Sequence, residues 1–261
     1  MVAKENMNNR IVVDIGNTRI SCGVFLDGKI VDLSHHLPSN TQKAATDIAA
    51  DADAMHITEI ALCSVVPSVS RSLTEFLEVH HRKIFQITEE TQTVITGTYD
   101  SLGADRIANI VAARELYLKK ESAIVIDCGT ATTLTAVSAS GRFLGGLITL
   151  GLGNTFRSLH HSTEQLPELE TYNNGQPPMP LAFDTTNAIT SGCIHAQVGI
   201  IENWIKVARH ELGSKTTVVA TGGYASIIAP LTKAFDHIDP DLTLHGINFI
   251  AEAAMDHVDR A

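Results

Sequence analysis

The chain alternates short runs of apolar residues with longer stretches in which apolar residues recur every three or four positions. The short, β-branched runs predict strands at 11–15, 20–26, 29–34, 59–66, 83–88, 122–127, 131–138, 142–150 and 216–220. The longer stretches have helical spacing and predict helices at 42–50, 69–80, 105–118, 153–163, 186–212 and 246–258. Strands that alternate with helices of this length indicate an α/β fold.

The first predicted strand ends in the sequence IVVDIGNT, where an acid follows a run of β-branched residues. Asp14 is followed by Gly16, which lets the backbone turn tightly, and by the small polar residues Asn17 and Thr18. This segment fits a hairpin turn, since turns use the same residue types. It also fits a loop that binds a metal ion and phosphates, because the acid and the hydroxyl supply oxygen ligands. The stretch by itself favours the turn.

The same arrangement occurs a second time in the chain. The segment AIVIDCGTATTLTAVSASGRFLGGL repeats the layout of RIVVDIGNTRISCGVFLDGKIVDLS, with strand, turn, strand, turn and strand in the same order. Three pairs of residues share one offset of 113 positions: Asp14 and Asp127, Gly16 and Gly129, and Gly28 and Gly141. Two unrelated turns would not share this context, so we expect a duplicated domain, and the turn interpretation of Asp14 loses support.

The duplication predicts two tandem domains, an N-terminal one at 1–118 and a C-terminal one at 119–261. We expect the two acid-bearing loops to face one cleft, in which a nucleotide lies with its phosphates between them. Backbone N–H groups would donate hydrogen bonds to the phosphates. Hydroxyl donors would come from Thr18, Thr130, Thr132 or Thr133.

Composition limits the partners that such a protein binds. With 261 residues and 44% apolar content, the chain can form a full core. Its formal net charge of −10 and its lack of a Lys/Arg cluster argue against nucleic acid or an anionic membrane surface as a partner. The N-terminus MVAKENMNNR lacks a signal-peptide core, and no run approaches the roughly 18 apolar residues of a membrane span. A small molecule is the expected partner.

The cysteines indicate a reducing compartment. Cys22, Cys63, Cys128 and Cys193 lie far apart in apolar segments, and no C-x-x-C pair occurs. They are therefore interpreted as reduced core residues rather than disulfides or a zinc site, which fits the cytoplasm.

Other phosphate-binding motifs are absent or incomplete. No G-x-x-x-x-G-K-[ST] occurs, which excludes a P-loop. The stretch GLGNTF at 151–156 begins like a dinucleotide fingerprint, but Phe156 stands in the place of the third glycine. Neither acid-bearing loop contains a lysine, so bound phosphates would depend on metal ions, backbone dipoles and Arg19.

Six blocks of sequence together resemble the type III pantothenate kinases. The blocks are DIGNTRI at 14–20, LGADR at 102–106, IDCGTATT at 126–133, GGLITLG at 145–151, STEQLP at 162–167 and TTNAITSG at 185–192. That family belongs to the superfamily of acetate and sugar kinases, heat-shock ATPases and actin, so the resemblance implies two ribonuclease-H-like domains with a nucleotide cleft between them. It also implies a homodimeric kinase that phosphorylates pantothenate to 4′-phosphopantothenate with ATP, the first step of coenzyme A biosynthesis.

The resemblance assigns roles to individual residues. Asp14 would lie near a magnesium ion, in a phosphate loop formed by Asp14, Ile15, Gly16, Asn17, Thr18, Arg19, Ile20 and Ser21. Thr130 would contact ATP, and Asp127 would hold a monovalent cation, potassium or ammonium. Pantothenate would be bound by Gly103, Ala104, Asp105, Arg106, Thr185 and Tyr99.

Asp105 has two candidate roles. The stretch GADRIANIVAARELYLKK predicts a helix that begins near Ala104, and an acid in its first turn is favourable against the helix dipole without any catalytic duty. The resemblance instead implies a general base, since a primary alcohol is a weak nucleophile and a carboxylate can accept its proton. Arg106 can pair with the pantothenate carboxylate or form a surface ion pair with Glu115 or Asp100.

Two positions depart from the family pattern. Leu150 stands where the family usually has a proline, and Tyr99 lies several residues closer to the G-x-D-R block than the usual tyrosine does. An alternative function stays open, because the same fold can serve a non-catalytic regulatory or accessory protein. The joint presence of Asp14, Asp105 and Asp127 favours the enzyme.

The longest predicted helix, 186–212, has apolar residues on more than one side. They are Ile189, Cys193, Ala196, Ile200, Ile201 and Trp204. Such wide apolar coverage predicts burial against a second copy of the chain as well as against the core, with the core alone as the alternative.

Overall fold

The computed structural model describes residues 9–118, 121–169, 178–213 and 215–258. Residues 1–8, in which no signal peptide is expected, lie outside the described residues. Backbone contacts divide the chain into two units. Unit 1 comprises the described residues within 1–115 and 242–261, and unit 2 comprises those within 116–241.

Unit 1 is a mixed β-sheet with helices packed on it. Its strands are β1 (Arg10–Ile15), β2 (Ile20–Leu26), β3 (Lys29–His36), β4 (Glu59–Ser64) and β5 (Lys83–Gln86). Its helices are α1 (Thr41–Ala54), α2 (Pro67–Val79), α3 (Ala104–Tyr117) and the C-terminal helix Leu242–Val258. The strand order is β3-β2-β1-β4-β5, in which β1 to β3 are antiparallel neighbours and β4 and β5 run parallel to β1.

Unit 2 is also a mixed sheet with helices. Its strands are β6 (Ser122–Cys128), β7 (Ala131–Val137), β8 (Phe143–Leu150), β9 (Thr216–Thr221) and the short β10 (His237–Ile238). Its helices are α4 (Leu152–His161), α5 (Thr185–Leu212) and the single-turn α6 (Ala225–Ile228), so that the C-terminal helix of unit 1 is α7. The strand order is β10-β9-β6-β7-β8.

The two sheets have the same topology. Read from its β8 edge, the second sheet repeats the order of the first, and each pair of neighbours has the same antiparallel or parallel direction. The acids also occupy matching places, because Asp14 lies opposite Cys63 on β4 and Asp127 lies opposite Thr221 on β9. The duplication that the constant offset predicts is therefore present in the fold.

The central strand β1 is buried because helices cover both of its faces. Ile11, Val13 and Ile15 belong to a core cluster with the apolar face of α1. Helix α7 packs near β1 and closely against α3, since an added Cβ at Gly246 would collide with the backbone of Ala108. This packing fixes α3, whose first turn carries Asp105.

The core of unit 2 accounts for much of the apolar surface of α5. Ile189, Cys193 and Ile201 are buried in this core, and Trp204 packs against it, whereas Ala196 is exposed. The broad apolar pattern of this helix therefore reflects the core of its own unit more than a second copy. None of the helices in the described part of the chain combines the length and the apolar composition that a membrane span requires.

Most elements agree with the predicted limits to within a few residues. Helix α6 and strand β10 were not predicted, because elements this short carry no periodic pattern. Helix α7 begins at Leu242 rather than at 246, and it groups with unit 1, whereas the predicted boundary assigned all of 119–261 to one domain. A boundary drawn along the sequence cannot show that the chain returns to its first unit.

Candidate active site

The first acid loop, defined here as residues 14–20, connects β1 to β2. Asp14 is partly buried, whereas residues 17–19 at the tip are exposed. The Gly16 N–H donates a hydrogen bond of 2.9 Å to the Arg19 carbonyl, which closes the tip. An added Cβ at Gly16 would lie only 3.2 Å from the same carbonyl oxygen, so the turn favours glycine. The loop presents polar side chains and backbone groups to solvent.

Asp105 lies in the first turn of α3, as predicted, and is partly buried. Its Oδ1 accepts a hydrogen bond of 2.8 Å from the Arg106 N–H. Burial raises the pKa of Asp105, while the N–H and the positive charge of Arg106 lower it. An added Cβ at Gly103 would collide with Asp105 Oδ1, so the glycine makes room for the carboxylate. A carboxylate with a raised pKa is a stronger base, which suits proton transfer.

Asp14 and Asp105 both lie near one buried thiol. Cys63 pairs with Asp14 across β1 and β4 and is fully buried. Burial raises the pKa of the Cys63 thiol, and the negative charges of Asp14 and Asp105 raise it further. The geometry places both carboxylates in the same part of unit 1. The Val65 N–H donates to the carbonyl of Ile15, next to Asp14, at 3.1 Å. An added Cβ at Gly103, which would touch Asp105 Oδ1, would also lie 3.8 Å from Val65 Cγ1. The structure therefore brings together the acids predicted for magnesium binding and for proton transfer.

Arg106 is held beneath the surface, next to Tyr99. Its side chain is 6% exposed, and its Nη1 donates a hydrogen bond of 3.2 Å to the Tyr99 hydroxyl. Tyr99 is itself 44% exposed. Arg106 is buried, whereas its two predicted surface partners, Asp100 and Glu115, are exposed. Tyr99 contacts the G-x-D-R block even though its place in the sequence departs from the family pattern.

The second acid loop, defined here as residues 127–131, connects β6 to β7. Gly222, which has a φ of +91°, lies against it so closely that an added Cβ would collide with Asp127 Oδ1. An added Cβ at Gly129 would lie 3.1 Å from the same oxygen. The Asp127 carboxylate therefore lies in a cradle formed by the backbone at two glycines, where there is no room for a side chain.

Neighbouring elements hold the backbone of this second loop. The Thr130 carbonyl accepts hydrogen bonds from the Gly151 N–H at 3.1 Å and from Asn154 Nδ2 at 2.7 Å. Gly151 approaches the loop so closely that an added Cβ would collide with the Gly129 carbonyl. On the other side, the Tyr224 N–H donates to the Cys128 carbonyl at 2.9 Å.

The remaining predicted residues fall into two groups. Ile15 and Ile20 are fully buried and Ser21 is 6% exposed, so ATP could meet the two isoleucines only through their backbone. Thr185 is the exposed first residue of α5, in unit 2, where Asp184 caps the helix by accepting a hydrogen bond of 2.9 Å from the Asn187 N–H.

Two polar residues near the second loop, Asn154 and Gln197, were not predicted from the sequence as site residues. Asn154 lies in the segment that was rejected as a dinucleotide fingerprint, and Gln197 lies on the buried side of α5. The signal for Gln197 was available, because a polar residue interrupts the apolar spacing of Ile194, Val198 and Ile201. A buried amide in such a stripe needs hydrogen-bond partners.

Solved structures with this fold include ATP-dependent kinases. An inorganic polyphosphate/ATP-glucomannokinase from Arthrobacter sp. strain KM superposes with a TM-score of 0.50 at 15% identity, covering 93% of this chain and 98% of that chain. A Campylobacter jejuni protein described as a Baf-family transcriptional activator gives a TM-score of 0.58 at 17% identity, covering 95% of this chain and 99% of that chain. At such identities the likeness shows the fold alone, which is the α/β nucleotide-binding fold of the sugar kinases and actin-like ATPases.

Sequence comparison identifies the family within this fold. The model of the type III pantothenate kinase family matches residues 10–207. A type III pantothenate kinase from Dehalococcoides mccartyi (strain CBDB1) is 34% identical over 253 residues, which cover 92% of this chain and 94% of that protein. The chain belongs to the type III pantothenate kinase family, as its six sequence blocks predict. The regulatory alternative gains no support beyond the fold that the Campylobacter protein shares.

Proposed function

We propose that this protein phosphorylates pantothenate to 4′-phosphopantothenate with ATP, the first step of coenzyme A biosynthesis. The observation that carries the proposal is that Asp14 and Asp105 lie on either side of Val65, in a chain of the type III pantothenate kinase family. One carboxylate would serve the metal ion and the other the acceptor alcohol, which are the two carboxylate roles that a kinase site requires.

Asp105 is the proposed general base. It would accept the proton of the pantothenate hydroxyl while the bond from the hydroxyl oxygen to the γ-phosphorus forms and the bond from that phosphorus to ADP breaks. Partial burial supports this role, because it raises the pKa of Asp105. The Arg106 N–H bonds to Oδ1 and thereby orients the carboxylate.

The other predicted residues take binding roles in this proposal. Arg106, oriented by the Tyr99 hydroxyl, would pair with the carboxylate of pantothenate. Gly103, Ala104 and Thr185 complete the proposed substrate contacts. The first acid loop and Thr130 would bind the phosphates of ATP through their hydroxyl and backbone N–H groups.

Asp14 fits a magnesium ion that is shared with the nucleotide. Magnesium in kinases usually takes one or two carboxylates and completes its shell with phosphate oxygens and water. Among the described residues, no group of three or more histidine, cysteine, aspartate or glutamate side chains could hold a metal. A bound ion would therefore rely on Asp14 together with ATP, and it would neutralise charge on the transferred phosphoryl group.

Asp127 fits a monovalent cation, potassium or ammonium. Its carboxylate is a hard oxygen ligand, and no side chain at Gly222 separates it from the surrounding backbone. A second cation would offset the negative charge of phosphates, since neither acid loop contains a lysine. We expect activity to be low with magnesium alone and to rise when potassium replaces sodium at fixed ionic strength.

A substitution of Asp127 tests the proposal that this residue binds potassium. Asp127→Asn should raise the potassium concentration for half activation more than it raises the KM for pantothenate. Equal activity in sodium and in potassium, with enzyme freed of both ions, would leave Asp127 as a structural residue only.

A coupled assay of ADP release tests the main proposal. Release that depends on pantothenate supports it, whereas no release over a range of magnesium and potassium concentrations rejects it. Turnover with a different alcohol would indicate a related sugar or acyl kinase. The same preparation can be tested for turnover with each alcohol in turn.

Homodimerisation and a cytoplasmic location complete the proposal. The exposed residues Ala188, Gly192 and Ala196 form a stripe of small side chains on α5, beside a groove of about 490 Å³ that Leu181 also lines. A second copy is the proposed occupant, and light scattering that reports 28.1 kDa at micromolar concentration would exclude it. The four cysteines are free and buried, which agrees with a reducing compartment.

A further inference from the structure

A side-chain amide on α4 holds the second acid loop from one side. Asn154 donates from Nδ2 to the Thr130 carbonyl at 2.7 Å, and its Oδ1 accepts a hydrogen bond from Arg157 Nη2 at 2.6 Å. The two ends of one amide are therefore engaged by different partners. Rotation of the amide would break both bonds, so its orientation is fixed.

A second amide, on α5, contacts strands β7 and β8 next to the loop. Gln197 is 3% exposed, its Oε1 accepts from Thr132 Oγ1 at 2.9 Å, and its Nε2 donates to the Leu150 carbonyl at 2.8 Å. Thr132 follows the loop on β7, and Leu150 pairs with Ala131 across β7 and β8. Gln197 thus attaches α5 to the first residues of β7 and the last residue of β8, where the loop enters β7.

These contacts fix the backbone of Thr130. Its carbonyl accepts from the Gly151 N–H and from Asn154, which occupies both oxygen lone pairs. A trans peptide unit is planar, so fixing this carbonyl also fixes the direction of the Ala131 N–H. Backbone N–H groups held in turns of this kind are ligands for anions such as phosphate.

We propose that Asn154 and Gln197 are positioning residues, which hold the Thr130 backbone in the geometry that binds the nucleotide. This inference rests on the proposed function, in which Thr130 contacts ATP. A loop that is already ordered before binding loses less conformational entropy when the nucleotide arrives. The two amides should therefore affect the affinity for ATP much more than the affinity for pantothenate.

Asn154→Asp is the sharpest test of this inference. The carboxylate has the same size and still accepts from Arg157, but it places an oxygen against the Thr130 carbonyl where a donor stood. Because one good hydrogen bond becomes a repulsive contact, we expect the KM for ATP to rise about 10-fold. The KM for pantothenate should stay within about twofold of the wild-type value. Asn203→Asp on the exposed side of α5 adds the same charge and should change neither constant.

A second variant tests the other amide. Gln197→Met keeps the length of the side chain and loses both hydrogen bonds, so it should produce the same selective rise in the KM for ATP. If Gln197→Met does not fold, Thr132→Val takes its place in the test. This variant removes only the hydrogen bond between Thr132 on β7 and Gln197. A residue with a purely structural role would lower the melting temperature without separating the two substrates.

Calorimetry with a non-hydrolysable ATP analogue separates this inference from the proposed function. Suppose that the wild type phosphorylates pantothenate, and that Asn154→Asp and the Gln197 or Thr132 variant all keep the wild-type KM for ATP. The inference is then wrong, and the proposed function stands. If the wild type lacks turnover but binds the analogue about 10-fold more tightly than Asn154→Asp, the inference stands for nucleotide binding and the pantothenate function fails. A wild type that binds no nucleotide overturns both.

Discussion

The first and second acid loops share one strand layout but are held in different ways. The tip of the first loop, residues 17–19, is exposed and closed by the hydrogen bond from Gly16 to Arg19. The second loop is enclosed, because Gly222 lies against Asp127 and Asn154 bonds to Thr130. The same repeated sequence pattern therefore gives an exposed tip in unit 1 and a tightly held loop in unit 2.

This difference shows that Asp14 and Asp127, although they occupy matching places in the two sheets, are in different environments because different elements pack around them. Near the first loop, Asp105 at the start of helix α3 supplies a second carboxylate beside the segment that carries Asp14. Near the second loop, Gly129 and Gly222 bring the backbone close to the single carboxylate of Asp127. A rigid binding site needs such support from neighbouring elements. The two repeated acids therefore have different surroundings, a second carboxylate in unit 1 and closely packed glycines in unit 2.

The largest expected effect concerns Asp105, the acid near the first loop that is proposed to act in the chemical step. Asp105→Asn keeps the size of the side chain and the acceptor for the Arg106 N–H, but an amide cannot take up the proton of the substrate. We expect kcat to fall about 10²- to 10⁴-fold, the usual contribution of a general base. The affinity for a non-hydrolysable ATP analogue, measured by calorimetry, should change little.

Asp100→Asn is the matched control for that variant. Asp100 is an exposed acid five positions before Asp105, so its substitution removes the same charge from the same region. It should leave kcat within about twofold of the wild-type value, as surface substitutions usually do. Wild-type turnover by Asp105→Asn would show instead that the acid only stabilises the start of α3.

The next largest effect tests how tightly the second loop is enclosed. Gly222→Ala places a Cβ against Asp127 and the Cys128 backbone at a φ of +91°, which side chains rarely adopt. We expect the free energy of unfolding to fall by about 2–4 kcal/mol, as strain and steric overlap add. Gly223→Ala is the control, since an added Cβ there meets nothing within 4 Å. Denaturant unfolding of both variants tests this expectation. A loss of stability in Gly222→Ala alone would show that the contact with Asp127, and not the Gly222–Gly223 pair as such, requires glycine.

Sequence reasoning was sufficient for the fold and the family but not for the surroundings of the site. Strand and helix periodicity, together with the offset that links Asp14 to Asp127, predicts both sheets because these signals are local or repeated. The contacts of Gly222 and Asn154 with the second loop join segments 24 or more residues apart, and no periodic pattern records them. The return of α7 to unit 1 was missed for the same reason.

A smaller effect concerns the stability of unit 1 as the pH changes. Burial raises the pKa of Asp105 in the folded state, so folding favours the protonated acid. This contribution is complete below the unfolded pKa, roughly 3.9, and is lost as the pH rises through the folded pKa. Asp105→Asn should therefore melt above the wild type near pH 7.5, and the difference should shrink toward pH 4. A difference that is constant with pH, followed by scanning calorimetry, would contradict this account.

The smallest expected effect lies at the edge of the second sheet, where the chain has Leu150. The Gly151 N–H donates to Thr130, so the neighbouring pair of Ala131 and Leu150 is a position without mutual hydrogen bonds in the antiparallel ladder. The Leu150 N–H consequently points away from β7, and its carbonyl bonds to Gln197. Leu150→Pro removes no ladder bond and keeps that carbonyl, and proline is tolerated on edge strands at such positions.

We expect Leu150→Pro to change the free energy of unfolding by less than about 1 kcal/mol and to leave the KM for ATP within about twofold. Thr149→Pro is the control that makes a small effect informative. Thr149 pairs with Thr132 at the next position, where the N–H does point into the ladder, so the same substitution leaves a carbonyl of β7 without its donor. That loss should cost about 1–3 kcal/mol. Equal losses in the two variants, measured by denaturant unfolding, would mean that the direction of the Leu150 N–H is not what makes proline acceptable there.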